Sequence, residues 1–306
     1  MEFCYQMNKR RIVQTGNTYL YKDMVAQLKQ LQCAYPHFEV LEIGRSVMGK
    51  PLYCIRLGSG PKAFHMNGAV HANEWITAPL LLRFIEETLA STVESSERWS
   101  REACSWLKEI TLWAVPMVNP DGVNLSQEGI TPAHANAGQL LAWNQGSTDF
   151  SRWKANIQGV DLNDQFPAYW EEEQRRRAIL MPSAQDYGGT APLTEPESKA
   201  LAVLTRCEDF DLAVSLHTQG KEIYWNYRDM EPSYAEHLAR RLAYVSGYRA
   251  VKLTGSDAGY KDWFIQEFRR PGFTIEAGEG VNPLPASDFE SIYAEVSELL
   301  AEVMRF

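Results

Sequence analysis

Three short apolar segments of this 306-residue chain each lead into a residue that can bind a metal. Residues 63–70 precede His71, and residues 210–216 precede His217. A third apolar run ends in Glu276. Runs of this length are typical of buried strands, and here they alternate with segments of helical periodicity, which predicts an α/β fold with one sheet covered on both faces. Because sites in such folds lie beyond the carboxyl ends of strands, we expect these residues to lie together.

The residue types at these positions match a catalytic metal site. His71 and Glu74 are three residues apart, so a helix that began there would turn both side chains to one side. His217 would supply a second imidazole from the end of a strand. Two histidines and one carboxylate form a zinc site with an open fourth position for water, although the same set suits other divalent metals. Each residue taken alone is a weak indicator, since most isolated histidines belong to a core or a surface.

Charge and composition exclude several classes of protein. The formal net charge of −9 argues against a nucleic-acid partner or an anionic membrane surface. No apolar run reaches the length of a membrane span. Residues 1–11 lack the apolar core of a signal peptide, so we expect a cytoplasmic location. Five scattered cysteines without a C-x-x-C pair predict reduced thiols in the core.

The chain is predicted to form a single domain, because no internal repeat or low-complexity linker divides it. We assign residues 1–17 to an N-terminal extension and residues 18–306 to the catalytic domain. Residues 124–190, rich in Gly, Asn, Gln, Pro and Trp, predict functional loops, and the charge run over 171–177 predicts a solvated helix face. The predicted helices cover 18–35, 74–90, 195–207, 232–246 and 286–305; the predicted strands cover 63–69, 110–118, 210–216 and 272–276, with a hairpin over 38–58.

Five short motifs occur in an order that resembles the zinc carboxypeptidase family. They are HANEWIT (71–77), NPDG (119–122), GVDLN (159–163), SLHT (215–218) and FTIE (273–276). The similarity extends over nearly the whole chain, from about residue 18 to residue 305. It implies a single α/β domain with a mixed, mostly parallel central sheet, helices on both faces, and peptidase activity that depends on one zinc ion.

The resemblance implies a role for each of five residues. His71, Glu74 and His217 match the zinc ligands. Glu276 matches the general base that takes a proton from the zinc-bound water. Asp161 matches the carboxylate that hydrogen-bonds a zinc-bound histidine and fixes its ring. For Asp161, a role in capping a loop is the alternative.

A further cation is expected near the zinc, where it would stabilise negative charge on the scissile carbonyl oxygen. In the family an arginine that follows a tryptophan does this. The matching position here is Lys154, and Arg152 lies close to it in sequence. A solvated loop lysine is the alternative interpretation of Lys154.

Two positions depart from the pattern of ordinary carboxypeptidases. The family binds the terminal carboxylate of its substrate with an Asn-Arg pair, whereas this chain has Asn163-Asp164, and an acid there would repel a carboxylate. Lys261 matches the floor of the specificity pocket, where a cation would favour a carboxylate on the substrate side chain. A lysine turned to solvent is the alternative interpretation. The capping tyrosine of the family falls at Thr254, with Tyr260 nearby as a substrate-binding candidate. We therefore hypothesise that Asp164 and Lys261 form a pocket for both an ammonium and a carboxylate.

Three longer segments, 159–170, 259–265 and 274–285, resemble the branch of the family that hydrolyses the γ-D-glutamyl–meso-diaminopimelate amide. This resemblance implies peptidoglycan stem peptides or muropeptides as substrates, with release to the cell wall or spore as an alternative to the cytoplasm. Other interpretations are a conventional carboxypeptidase, an amidohydrolase for a small acyl-amino acid, and a non-catalytic zinc-binding module. Asp164 argues against the first, and the complete ligand set with Glu276 argues against the last. The sequence does not indicate an oligomeric state.

Overall fold

The central element of the fold is one mixed β-sheet. The computed structural model describes residues 11–35 and 37–306 of the chain. Within these residues the sheet has the strand order β1-β2-β4-β3-β5-β8-β6-β7, and four of its seven pairings are parallel. The strands are β1 (Glu39–Arg45), β2 (Pro51–Leu57), β3 (Lys62–Asn67), β4 (Ile110–Val115), β5 (Leu212–His217), β6 (Glu222–Tyr224), β7 (Arg249–Val251) and β8 (Gly272–Glu276). The predicted fold class is confirmed.

Helices connect most of the strands. In the described part of the chain they are α1 (Tyr21–Ala34), α2 (Thr77–Val93), α3 (Ala103–Glu109), α4 (Pro120–Glu128), α5 (Ala137–Trp143), α6 (Trp170–Arg177), α7 (Pro196–Glu208), α8 (Ala235–Ser246), α9 (Tyr260–Phe268) and α10 (Phe289–Val303). The predicted helices all have counterparts here. The strands β6 and β7 were not predicted, because each has three residues, which are too few to show an alternating pattern.

Successive residues of the central strands face two separate hydrophobic cores. In β4, Leu112 belongs to the core that α2 and α10 cover, whereas Trp113 belongs to the core that α7 and α9 cover. In β5, Val214 belongs to the first of these cores and Ala213 to the second. This follows from the pleat, which points neighbouring side chains to opposite faces of the sheet. Because both faces are covered, the ends of the strands remain as the place for a site.

The segment before α1 is tied to α2. The backbone N–H groups of Ile12 and Val13 donate to the carboxylate of Glu86 at 2.7 and 2.9 Å. The guanidinium of Arg83 donates to the carbonyl oxygen of Val13 at 2.8 Å. Residues 11–17 therefore pack on the body of the domain. Residues 1–10 lie outside the described residues, and the boundary at residue 18 stays a prediction.

The described cysteines are free thiols that differ in burial. Cys54 is buried, whereas Cys33, Cys104 and Cys207 are exposed, and these four thiols are free. The prediction of core thiols is therefore wrong for the three exposed ones, which lie on the solvent-facing sides of α1, α3 and α7. Cys4 falls outside the described residues.

In the part of the chain that the structure describes, no helix combines the length and the apolar character that a bilayer crossing requires.

Candidate active site

His71 and Glu74 follow the end of β3. The chain leaves this strand at Asn67, forms one 3₁₀ turn over Ala72–Glu74, and enters α2 at Thr77. The helix that we expected at His71 therefore begins later. The turn still brings the two side chains together, because residues three apart in a 3₁₀ turn lie on the same side. Nδ1 of His71 lies 2.9 Å from Oε1 of Glu74.

His217 ends β5 and completes a cluster of three ligands. Its Nδ1 lies 2.9 Å from Oε2 of Glu74 and 3.2 Å from Nδ1 of His71. All three side chains are buried, and their ligand atoms lie within 4.8 Å of one another. Atoms that bind one zinc ion tetrahedrally at about 2.0–2.1 Å lie roughly 3.3 Å apart. Two imidazole nitrogens and a carboxylate at this separation fit a zinc ion.

Asp161 holds the far side of the His71 ring. Its Oδ1 lies 3.2 Å from Nε2 of His71. The backbone N–H groups of Asn163 and Asp186 donate to the two carboxylate oxygens at 3.1 and 3.2 Å. Burial acts to raise the pKa of Asp161, but the neighbouring His71 ring and the Lys154 ammonium hold this pKa below its ordinary value. Asp161 therefore stays a carboxylate and directs Nδ1 of His71 towards a metal.

Two residues that the sequence analysis did not single out bond the carboxylate of Glu74. The side-chain amide of Asn282 donates to Oε1, and the backbone N–H of Thr218 donates to Oε2, each at 3.3 Å. The hydroxyl of Thr218 also donates to Oδ1 of Asn282 at 2.7 Å. These bonds orient both oxygens of the ligand. The signal that could have found Asn282 is its place in the family-like segment 274–285.

Glu276 ends β8 beside the cluster. It is the direct partner of His217 in the register of β5 and β8. Its side chain lines a cleft of about 370 Å³ that His71 and Glu74 also line. Burial, and then the negative charge of Glu74, raise the pKa of Glu276 to about 8. A cation bound at the three ligands would oppose this shift, because it favours the carboxylate form.

Lys154 and Arg152 line the same cleft. The carbonyl oxygen of Lys154 accepts a hydrogen bond from the N–H of Ala72 at 2.9 Å, which fixes its backbone beside the ligand turn. Burial acts to lower the pKa of Lys154, but the charges of Asp161 and Glu74 outweigh it and raise this pKa. The side chain is therefore an ammonium that lines the cleft.

Asp164 is buried against Arg177 and does not line the cleft. Nε of Arg177 lies 3.2 Å from Oδ2 of Asp164 and 2.7 Å from Oε1 of Glu173. Burial, and then the charge of Asp161, raise the pKa of Asp164 to about 8. Asn163 lies beside it, next to Asp161. Because Arg177 already occupies the place of a cation at Asp164, the geometry does not support direct contact with a substrate ammonium.

Lys261 and Tyr260 begin α9 and are buried. Nζ of Lys261 lies 2.6 Å from Oδ1 of Asp262 and donates to the carbonyl oxygen of Asn226 at 2.7 Å. The hydroxyl of Tyr260 hydrogen-bonds that of Thr205 at 2.9 Å inside the core. The charge of Lys261 is therefore compensated within the protein, and the side chain of Tyr260 points away from the cleft.

The charge run over residues 171–177 lies in α6. Glu173 is 1% exposed and accepts hydrogen bonds from Arg176 and from the backbone N–H of Asp257, and it pairs with Arg177. The prediction of a solvated helix face is wrong for Glu173, because the chain at Asp257 packs against this side of α6 and donates a backbone N–H to the carboxylate. Glu171 on the same helix is exposed, as predicted.

Two imidazoles and a carboxylate that fit one metal, with a second carboxylate and an ammonium in the same cleft, define a metal-dependent hydrolase. The family model for zinc carboxypeptidases matches residues 24–298 of the chain. The chain belongs to this family of zinc metallopeptidases, and the resemblance seen in the sequence is confirmed.

Relatives and solved structures agree with this assignment. Gamma-D-glutamyl-L-diamino acid endopeptidase 1 of Lysinibacillus sphaericus is 46% identical over 285 residues, which cover 93% of this chain and 72% of that protein. Bovine thrombin-activatable fibrinolysis inhibitor shares the fold with a TM-score of 0.73 at 21% identity, over 97% of this chain and 98% of that one. The murein-tripeptide amidase MpaA of Escherichia coli O157 shares it with a TM-score of 0.53 at 20% identity, over 89% and 92%.

Proposed function

We propose that this protein hydrolyses the amide between the γ-carboxyl group of D-glutamate and meso-diaminopimelate in peptidoglycan stem peptides. The observation that carries the proposal is at position 164, where an acid already paired with Arg177 follows Asn163 in place of the family's arginine. An ordinary C-terminal carboxylate has no arginine at that position to bind it. The similarity to a protein named for endopeptidase action on γ-D-glutamyl-L-diamino acids, over most of both chains, supports the same substrate class.

The proposed metal centre is a single zinc ion bound by Nδ1 of His71, the carboxylate of Glu74 and Nδ1 of His217. When bound, zinc polarises a carbonyl group and lowers the pKa of a coordinated water. A second group of acids, Asp161, Asp164 and Asp186, is also close enough to hold an ion. Arg177 pairs with two of them, at 3.2 Å from Asp164 and 3.0 Å from Asp186, so a guanidinium already supplies the positive charge there.

Three further residues of the cleft would transfer the proton of the attacking water, stabilise the negative charge on the carbonyl oxygen and attract the substrate. We assign Glu276 as the base that takes a proton from the attacking water and passes it to the leaving amine. Lys154 would donate to the carbonyl oxygen as that oxygen becomes negative. Arg152, exposed at the edge of the cleft, would attract the acidic stem peptide. The compartment in which this happens stays a prediction from the sequence.

A product analysis by mass spectrometry tests the proposal. Zinc-loaded protein is incubated with L-Ala-γ-D-Glu-meso-diaminopimelate and, in parallel, with an ordinary L-peptide that has a free C-terminus. We expect L-Ala-D-Glu and free diaminopimelate from the first, while the second stays intact. The Glu276→Gln variant is the control for contaminating peptidases. Trimming of the ordinary peptide alone would overturn the proposal and indicate a conventional carboxypeptidase.

A further inference from the structure

A second cavity lies between the end of α6, the chain that follows β6, and the loop over residues 252–257. Its volume is about 370 Å³. We name it the basic cavity, because three cations, Arg176, Arg228 and Lys252, line it against two acids, Asp229 and Asp257. The hydroxyl-bearing Thr254 and Ser256 also line it. Its size falls in the range of small-molecule sites. The hydrolytic steps proposed above make no use of it.

The guanidinium of Arg228 is held in one orientation. Its Nε and Nη2 donate to the two carboxylate oxygens of Asp257 at 2.8 and 3.0 Å. It also lies over the ring of Tyr169, 3.7 Å from the centroid. Asp257 is 2% exposed and accepts further bonds from the Tyr227 hydroxyl at 2.7 Å and from Arg176 at 2.5 Å. A planar guanidinium fixed in this way is organised to bind an anion before the anion arrives.

The Nη1 group of Arg228 remains available for a ligand. Asp257 and Glu172 accept hydrogen bonds from Nε and Nη2, and no residue in the described part of the chain accepts one from Nη1. Nη1 carries two N–H donors. Thr254 and Ser256 add hydroxyl donors on the wall of the basic cavity. Asp257 and Glu172 balance the charge of Arg228, so a ligand carboxylate would be bound mainly by hydrogen bonds from Nη1 and from these hydroxyls.

The basic cavity and the cleft have wall residues that are close in sequence. Tyr224 lines the cleft, and Asn226, two residues later, lines the basic cavity. An extended chain rises about 3.3 Å per residue, so the two wall positions are roughly 7 Å apart. In diaminopimelate, four carbon–carbon bonds separate the two amino-acid centres and span roughly 5 Å. A residue with one centre in the cleft can therefore place the other in the basic cavity.

We propose that the basic cavity binds the distal carboxylate of the diamino acid, with Nη1 of Arg228 as its principal donor. The proposal rests on the proposed function and adds the part of the site that recognises the side chain. It transfers to Arg228, whose Nη1 donors are unused by the described residues, the task that we first assigned to Lys261, whose buried ammonium bonds Asp262 and the carbonyl oxygen of Asn226.

Two peptides that differ by one carboxylate test this inference. L-Ala-γ-D-Glu-meso-diaminopimelate and L-Ala-γ-D-Glu-L-lysine share the scissile amide, and the lysine peptide lacks the distal carboxylate. We expect kcat/KM of the wild type to favour the first by roughly 10- to 100-fold, as one hydrogen bond between charged groups provides. Arg228→Gln should remove most of that preference by lowering kcat/KM for the diaminopimelate peptide while the lysine peptide changes little.

The control variant is Arg240→Gln, which removes one arginine from an exposed pair with Glu236 on α8 and should leave both rates unchanged. If Arg228→Gln fails to fold, Arg228→Lys takes its place as the test variant, because it keeps a positive charge beside Asp257 but lacks Nη1. Equal wild-type rates on the two peptides would overturn the inference without any variant, as would an equal loss on both in Arg228→Gln. Cleavage of neither peptide by the wild type would overturn the proposed function, and the inference with it.

Discussion

Oδ1 of Asp161 lies 3.2 Å from Nε2 of His71, so the ring of a proposed zinc ligand is fixed from behind. We expect Asp161→Asn to weaken zinc binding by roughly 10- to 100-fold, because the amide oxygen is a weaker acceptor and the ring loses the negative charge that raises its basicity. Competition with a chelator measures the change. Asp149→Asn, at an exposed aspartate, is the matched control. An unchanged zinc affinity would mean that the contact does not support the metal.

Glu276→Gln should separate catalysis from metal binding. The amide keeps the size of the side chain but cannot accept a proton, so we expect hydrolysis to fall by roughly 10²- to 10⁴-fold. Glu276 is not one of the three clustered ligands, so the zinc content should stay at the wild-type level. Initial rates and metal analysis of the same samples check both parts. A variant that retains most of its activity would exclude Glu276 as the base.

Lys154→Met should lower kcat more than it raises KM. The ammonium acts on charge that develops as the carbonyl is attacked, and loss of one such donor costs roughly 10²- to 10³-fold. Lys154→Arg should recover part of the rate, because it restores a positive charge in the cleft. Steady-state kinetics on the tripeptide separate the two constants. A change confined to KM would indicate that Lys154 binds the substrate rather than stabilising the reacting group.

Glu173→Ala should destabilise the fold. The carboxylate is 1% exposed and accepts from the N–H of Asp257, which its removal leaves without an acceptor. Arg176 and Arg177 each lose one carboxylate and keep others. A buried N–H left without its acceptor costs about 1–3 kcal/mol in the free energy of unfolding, and the two partly exposed arginines add little. Urea denaturation measures the loss. Glu171→Ala, on the exposed side of the same helix, should cost far less, and equal losses would contradict the burial of Glu173.

Stability should depend on pH through Glu197. Burial raises the pKa of its carboxyl group to about 7 from 4.5, although the N–H of Val47 donates to it at 3.0 Å. The folded state therefore holds the proton to higher pH than the unfolded chain does. This contribution is fully present below pH 4.5 and is lost as the pH rises through about 7.

The Glu197→Gln variant isolates this effect, because its side chain cannot ionise. Relative to the wild type, its free energy of unfolding should rise by about 3 kcal/mol between pH 4.5 and pH 7. Urea denaturation at several pH values gives the difference curve. Glu171→Gln is the exposed control. Parallel curves for the wild type and Glu197→Gln would show that Glu197 does not titrate in this range.

The strands that deliver the site could be predicted because each is a short apolar run. The runs before His71 and His217 correspond to β3 and β5, and their polar ends mark the edge of the sheet. What the sequence could not give is the order of strands, since the antiparallel β6 pairs with β8 through only three residues. Pattern alone likewise does not show that α2 begins at Thr77, because the 3₁₀ turn before it has the same local composition.

The charged pocket was harder to predict than the metal site. The candidate metal ligands can be recognised by residue type, whereas the role of Asp164 depends on a partner, Arg177, that lies on a separate helix. Lys261 was expected to face the substrate, but the acid that neutralises it, Asp262, is its neighbour in sequence and could have been considered. The cation that faces the basic cavity, Arg228, follows a short strand that the pattern did not reveal.

The pairing of His217 with Glu276 makes turnover a reporter of correct assembly. These residues meet because β5 and β8 align in one register, and a shift by one residue would place Ile275 or Ala277 opposite His217. A chain misaligned in this way could keep most of its apolar burial and still hydrolyse nothing. After refolding, the fraction of specific activity recovered therefore counts the molecules whose two central strands have found their native alignment.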